Sequence, residues 1–473
     1  MAILKFPENF AWGTAISAFQ TEMGNSKDRN PKTDWDVWAN SGDIISKKLV
    51  SGDNPEDGDG FWDMYKTDLD NAKKIGLNSF RMSIEWARIF PDATFDIPAN
   101  IKKNENNTIT AIDLNDKSLL QMGKIADKDS VNHYIDIFNY ARSLGMNVLL
   151  TLYHWPLPLW LHDPVNCHLN IQNTDKNGWL NDQTLIEFGK YTLYASKVFS
   201  KYVDIWETIN EPEVISFNGY FYGDESGFLP GLNNLELAVQ VLHNLALAHN
   251  IAYKNIKKFT SVPVGFGIAP QYREAGNSKP ETIEYVKFMN YMGSDWFINA
   301  AVNGYFDNDI DMVIDKKEND IGNTDYIGID YYSRETYVYD DNSANNIVKL
   351  PCKNCTDFDW DIYPPGIRSV LNWIYEKYRF PLYILENGIA DSSDSKRKEY
   401  IKEHIKELWN AINIDKIPVK GYYHWSLIDN FEWAKGYGMR FGLFEVDYQN
   451  KKRKIRPSAY VYKEICESNG LKL

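Results

Sequence analysis

Residues 60–84, GFWDMYKTDLDNAKKIGLNSFRMSI, read as a helix that runs straight into a strand. Phe61, Tyr65, Leu69 and Ala72 recur at helical spacing and so share one face. Gly76 is where that helix stops, because glycine takes the closing left-handed backbone without a Cβ penalty. SFRMSI (79–84) is then a short apolar run of strand length, with Arg81 in its middle.

The same alternation continues in both directions. Further short apolar runs lie at 10–18, 147–154, 203–209, 262–269, 326–332, 381–386 and 419–427. Helical patterns fall between and after them, at about 130–144, 183–200, 235–257, 281–301, 367–379, 396–412 and 457–467. Eight strands, each followed by a helix, predict an α/β fold of the (β/α)8 TIM-barrel type. An open doubly wound sheet gives a similar alternation, and periodicity alone does not separate the two. The chain has 473 residues, well beyond the roughly 250 such a barrel needs, so long βα loops are expected. The polar connector at 92–128 is read as a solvated surface loop. With no repeat or linker in the pattern, residues 1–473 are expected to form a single domain.

Composition excludes several functions. The formal charge of −14 disfavours nucleic acid and anionic lipid as partners. No stretch reaches the roughly 20 apolar residues of a membrane helix. The first residues lack a basic region followed by an apolar run, so a cytoplasmic location is expected. Four cysteines do not make a disulfide framework, and the C-x-x-C at Cys352 and Cys355 lacks two further ligands for zinc. No metal is expected. The 15 tryptophans exceed what a core asks for and suit stacking on a flat ligand such as a sugar or a base.

Unusual residues gather at the C-terminal ends of the runs: Gln20, His154 and Trp155, Asn210 and Glu211, Tyr332, Glu386 and Asn387, Trp425. In a barrel these ends form one rim, where active sites sit. Glu211 and Glu386 come from the fourth and seventh runs, which face each other across the mouth. A carboxyl pair is what glycoside hydrolysis needs, one group protonated and one ionised. Arg81 within reach of Glu386 would hold that carboxylate charged, and Tyr332 would orient it. Glu211, beside a negative charge, would keep its proton. The competing reading is a rim ion pair with no chemistry. A buried acid at a strand end is costly without a partner or a task, which weighs against it.

With these segments in hand, the chain resembles the β-glycosidases of glycoside hydrolase family 1, and most resembles their archaeal branch. The likeness rests on FPENFAWGTAISAFQTE, FRMSIEWARIFP, LYHWPLP, TINEP, ILENG and GYYHWSLIDNFEWAKGYGMRFGLFEVDY, in that order from Phe6 to Tyr448. It implies a retaining, exo-acting enzyme for terminal β-glucosyl or β-galactosyl residues. Glu211, beside Asn210, would be acid/base and Glu386 the nucleophile, with Arg81 and Tyr332 in attendance. Gln20, His154, Trp155, Asn210, Trp425, Glu432, Trp433 and Phe441 would contact the sugar, and Trp360 the aglycone side. The resemblance implies no metal or organic cofactor, and a homodimer or homotetramer by analogy. Glu432 stands where family members that act on 6-phosphosugars usually carry serine, which implies unphosphorylated sugars. Two residues depart from the family pattern. Asp330 replaces a usual Asn, so either it is protonated or the pH optimum lies on the acid side. Leu385 replaces a usual Thr, read as a packing change. An endo-acting barrel glycanase and a sugar-binding barrel without activity remain as alternatives.

Overall fold

Eight parallel strands pair in chain order and close on themselves in the computed structural model, which describes residues 3–25, 30–343 and 346–472. They are β1 (Ala11–Ile16), β2 (Ser79–Ser83), β3 (Asn147–Tyr153), β4 (Ile205–Ile209), β5 (Val264–Ile268), β6 (Tyr326–Asp330), β7 (Leu382–Asn387) and β8 (Val419–Trp425). The closed (β/α)8 barrel therefore holds, and the open-sheet alternative is excluded.

Each strand is buried on both faces, as parallel strands between a core and helices must be. Side chains alternate between the two sides. Leu149, Tyr326, Leu385 and Tyr423 pack together as one cluster, while Phe80, Leu150, Trp206 and Ile329 belong to the cluster shared with the helices. Leu385 is fully buried, and its side chain occupies the space a Cβ on Gly328 would need. That is the packing role expected of it.

The helices follow the strands: α1 (Phe61–Lys74), α2 (Lys128–Ser143), α3 (Asp182–Phe199), α4 (Leu235–Lys257), α5 (Pro280–Asn290), α6 (Trp296–Asn303), α7 (Pro365–Tyr378), α8 (Arg397–Asn413) and α9 (Pro457–Ser468). In α1 the stripe Phe61, Tyr65, Leu69 and Ala72 is buried, and Gly76 follows at φ 80°. Full burial of Phe61 and Leu69 contributes about 1.5–3 kcal/mol each. Among the described residues, no helix is long and apolar enough to cross a membrane.

Two expectations need correction, and one pairing is new. The connector at 92–128 is not a bare loop: Asn100–Lys103 and Ile109–Asp113 form a hairpin, and Asp116–Ile125 is helical. The first of these strands is exposed throughout, so it shows no hydrophobic period, but Ile112 is buried against Gly189 of α3. The helix expected at 281–301 is broken by a π-helical turn over Tyr291–Asp295. Within it, Gly293 faces the Arg273 guanidinium, which lies where a Cβ would otherwise point. Finally, Cys352 and Cys355 are joined in a disulfide, while Cys167 and Cys466 are free and buried.

Candidate active site

Where β6 meets β7, the register slips. Ile329 pairs with Ile384, but Asp330 pairs with Glu386. The irregularity skips Leu385 and sets Glu386 beside Asp330; such bulges re-aim side chains at functional sites. Glu211 follows the end of β4, with its amide donating to the Gly267 carbonyl of β5 at 3.0 Å. Its φ of 45° is left-handed, a costly conformation for a residue with a side chain. Trp155 (φ 88°), Asp359 (φ 58°) and Trp433 (φ 47°) share that strain, so four left-handed residues cluster at one mouth.

One carboxyl oxygen from each of Glu211, Asp330 and Glu386 lies within 4.8 Å of the others. The surroundings of Glu211 and Glu386 differ. Glu386 accepts from Arg81 Nη1 at 2.6 Å and from the Tyr332 hydroxyl at 2.5 Å. Burial lifts its pKa above the ordinary carboxylate range; Arg81 and Tyr332 pull it back. The expected contact of Arg81 with Glu386 is present, and with Tyr332 it favours the charged form against the desolvation that opposes it. Burial lifts Glu211 much further, reinforced by the charges of Glu386 and Glu213. The order expected from the sequence survives: Glu211 keeps its proton longer than Glu386.

Behind them Arg81 is fully buried. It donates from Nε and Nη2 to Glu207 at 2.7 and 2.9 Å, and from Nη2 to Asn210 Oδ1 at 2.6 Å. Thr151 donates to the same Glu207 carboxylate at 2.5 Å. Glu207 and Thr151 were not among the residues read from the sequence. A glutamate inside the apolar run IWETI was the available signal, since a buried charge needs a partner.

A pocket of about 670 Å³ opens in front of this group. Gln20, His154, Trp155, Glu211, Tyr332, Trp360, Glu386, Trp425, Glu432, Trp433 and Phe441 all line it; Arg81 and Asn210 stand behind its wall. Gln20 sits in the short helix Ala18–Thr21 after β1 and donates to Glu432 Oε2 at 3.3 Å. Burial and the Glu386 charge push the Glu432 carboxyl up to about 8. His154 is driven well below its usual pKa by burial and by Arg81, so it stands neutral. Its Nε2 meets the Asn210 amide at 3.4 Å, and the ring stacks 6.0 Å from Trp425. Trp155 donates its indole N–H to the Asn210 carbonyl at 3.1 Å, so that donor serves the backbone and not a ligand. Trp360 is half-buried, 5.3 Å from the Tyr332 ring and stacked 4.3 Å from Phe358, an aromatic the sequence reading passed over.

The family model described as Glycosyl hydrolase family 1 matches residues 3–101 and 120–471. The chain belongs to this family. It is a glycoside hydrolase, and between residues 101 and 120 the match skips the end of the exposed hairpin strand, its partner and the start of the helix that follows. Among related proteins, a beta-galactosidase of Saccharolobus solfataricus is 37% identical over 478 residues, covering 98% of this chain and 96% of its own length. Among solved structures, the beta-glycosidase of Thermosphaera aggregans superposes with a TM-score of 0.92 at 36% identity, covering 99% of this chain and 98% of its own. A beta-glucosidase mutant derived from a hyperthermophilic tetrameric structure follows at 0.90 and 35%, covering 99% and 97%.

Carboxylates that could hold a cation also gather away from the pocket, at Asp307, Asp309 and Asp315. There Asp307 already accepts from the Tyr291 hydroxyl and the Met312 amide, each at 2.8 Å.

Proposed function

We propose that this family 1 enzyme removes terminal β-glucosyl or β-galactosyl residues from oligosaccharides and aryl or alkyl glycosides, with retention at the anomeric carbon. One observation carries the reading. Oxygens of Glu211 and Glu386 approach within 4.8 Å, near the roughly 5–5.5 Å separation of retaining pairs and short of the roughly 6.5–9.5 Å that seats a water in inverting ones.

In the first step a Glu386 oxygen bonds to C1 as the C1–O bond to the aglycone breaks. The departing oxygen takes the Glu211 proton. In the second, water attacks C1 and gives a proton to Glu211, and Glu386 leaves as a carboxylate. Arg81 and Tyr332 stabilise that carboxylate, which helps it leave. In this reading neutral His154, backed by the Asn210 amide at 3.4 Å, bonds the hydroxyl beside C1, where contacts tighten in the transition state. Glu432 and Gln20 offer a carboxyl and an amide to adjacent sugar hydroxyls, Trp425 a ring face, and Trp360 a platform on the aglycone side. Exo action on unphosphorylated sugars belongs to the same reading, the second half of it resting on the acidic Glu432 in the pocket wall. Residues 1–473 act as one catalytic unit, and a homodimer or homotetramer is proposed by analogy with the tetramer-derived relative, to be measured by sedimentation.

Following a β-nitrophenyl glucoside by NMR tests the mechanism: β-glucose should appear first, and α-glucose as first product would refute retention. Glu386→Gln should abolish release. Glu211→Ala should still turn over a dinitrophenyl glycoside, accelerated by azide to give the β-azide. Glu432→Ser should lose more activity on glucosides than on 6-phosphoglucosides. Turnover of soluble polymer at the rate of a disaccharide would favour the endo reading instead.

A further inference from the structure

Asp330 is a third carboxyl in this site that the double displacement does not use. It is fully buried, and both its oxygens are sealed from water with no hydrogen-bond donor directed at either. Every neighbouring element presents it with charge, with an acceptor oxygen such as Asn210 Oδ1, or with nothing. On β7, Glu386 is its register partner. From β4 and the residues after it come Glu207 and Glu211, and from β2 comes Arg81. On β5 the nearest position is Gly267, which has no side chain to offer. Arg81 directs its hydrogen bonds to Glu207, Glu386 and Asn210, and Tyr332 gives its hydroxyl to Glu386.

A carboxylate in that position would be unsolvated, without a donor, and beside the negative charge of Glu386. The ionised form is therefore the one the site cannot hold. A neutral carboxyl has the opposite property: its O–H needs an acceptor, and a Glu386 carboxylate oxygen lies within 4.8 Å, with Glu207 Oε1 and Asn210 Oδ1 as the other acceptors on the Gly267 side. We propose that Asp330 stands as a neutral carboxylic acid and shares its proton with Glu386, forming a dyad that acts as a positioning device for the nucleophile. Burial, and next the Glu386 charge, press the Asp330 pKa well upward, which agrees.

The consequence is chemical and rests on Glu386 being the nucleophile. Two carboxyls that share one proton split their titration. The first proton leaves at lower pH than either group alone would allow, and the second is retained to higher pH. Glu386 therefore stays available as an anion further into acid. A third donor beside Arg81 and Tyr332 also makes it a better leaving group when the glycosyl-enzyme is hydrolysed.

The infrared spectrum at pH 7 of the full-length protein tests the proton directly, without reference to activity. Subtracting the Asp330→Asn spectrum should remove a neutral-carboxyl C=O band. Loss of a carboxylate band instead would overturn the proposal and leave the Glu211–Glu386 reading intact. In the pH dependence of kcat/KM on a nitrophenyl glucoside, the acid limb of Asp330→Asn should move up by about half a unit or more, since the amide is a weaker donor than the shared acid. Superimposable acid limbs would overturn the dyad. Should Asp330→Asn not fold, Asp330→Ala serves the same infrared comparison. Failure of Glu386→Gln to abolish turnover would remove the nucleophile assignment while leaving the infrared result to stand or fall alone.

Discussion

Arg81 is tied more closely to Glu207 than to the glutamate it serves in the pocket. Two of its hydrogen bonds go to Glu207, at 2.7 and 2.9 Å, and one to Glu386 at 2.6 Å. Glu207 thus fixes the guanidinium from below, and its charge also acts against ionisation of Glu386. Glu207→Gln should have two separable effects. Stability should fall by about 3 kcal/mol, because a buried cation loses a fully buried partner. The acid limb of kcat/KM should move to lower pH, because a repelling charge near Glu386 is gone. Chemical denaturation and a pH–rate curve read the two independently.

Tyr332→Phe removes the hydroxyl donor on the Glu386 carboxylate without changing the shape of the wall. A hydrogen bond to a charged group contributes about 1.5–3 kcal/mol, so kcat/KM should fall about 10- to 100-fold. Glu386 loses support for its charged form, and the acid limb should rise, opposite to the shift in Glu207→Gln. Equal shifts in the same direction would show that the two groups do not act through Glu386.

Much of this site was legible because rim positions must carry polar residues that a core would reject. Asn210, Glu211, Glu386 and Trp425 stand at the ends of largely apolar strands, and the motifs around them are specific. Glu207 was not legible in the same way. It lies inside a strand, where pattern reading assigns core, and its partner Arg81 is far away in the chain. Asp330 was visible as a departure, yet its lack of any partner depends on a one-residue slip between β6 and β7 that no sequence period encodes. The hairpin at Asn100–Asp113 was missed for a related reason. Its outer strand is exposed, and its inner strand meets Gly189 of α3 through Ile112. In the barrel itself, where every strand is buried on both faces, the strand and helix order could be read directly.

Glu432 gives a pH prediction for stability. Its carboxyl is raised in the folded protein from 4.5 to about 8. The folded state therefore binds more protons than the unfolded state between those values, so stability falls as pH rises from about 4.5 to about 8. Glu432→Gln removes this contribution. Its melting temperature should exceed that of the unaltered protein near pH 8, by the equivalent of about 2–4 kcal/mol, and the gap should close towards pH 4.5. Thermal melts across that range measure it. A constant gap would mean that Glu432 does not titrate there. Activity should drop in the same variant, since the residue faces the sugar.

Gly267 offers a way to disturb the site from a residue that does not line the pocket. An added Cβ would lie 2.5 Å from Glu207 Oε1, 3.2 Å from Asn210 Oδ1 and 3.3 Å from Asp330 Oδ2. Its carbonyl also accepts the Glu211 amide at 3.0 Å. Gly267→Ala must therefore push the Glu207 carboxylate, and with it Arg81, or displace the backbone that sets Glu211. Overpacking of this kind costs about 1–3 kcal/mol in stability. A shift of about 1 Å in the catalytic geometry costs on the order of 100-fold in rate. The loss should appear in kcat more than in KM, because Gln20, Glu432, Trp425 and Trp433 are away from the added Cβ. Gly123→Ala is the matching control. It lies in the helix Asp116–Ile125, where a Cβ meets only Tyr194 at an ordinary 3.6 Å. There alanine should raise stability by about 0.5–1 kcal/mol through helix propensity and leave turnover unchanged. If both variants kept full activity, the close packing of Glu207 against β5 would have no part in holding the catalytic pair.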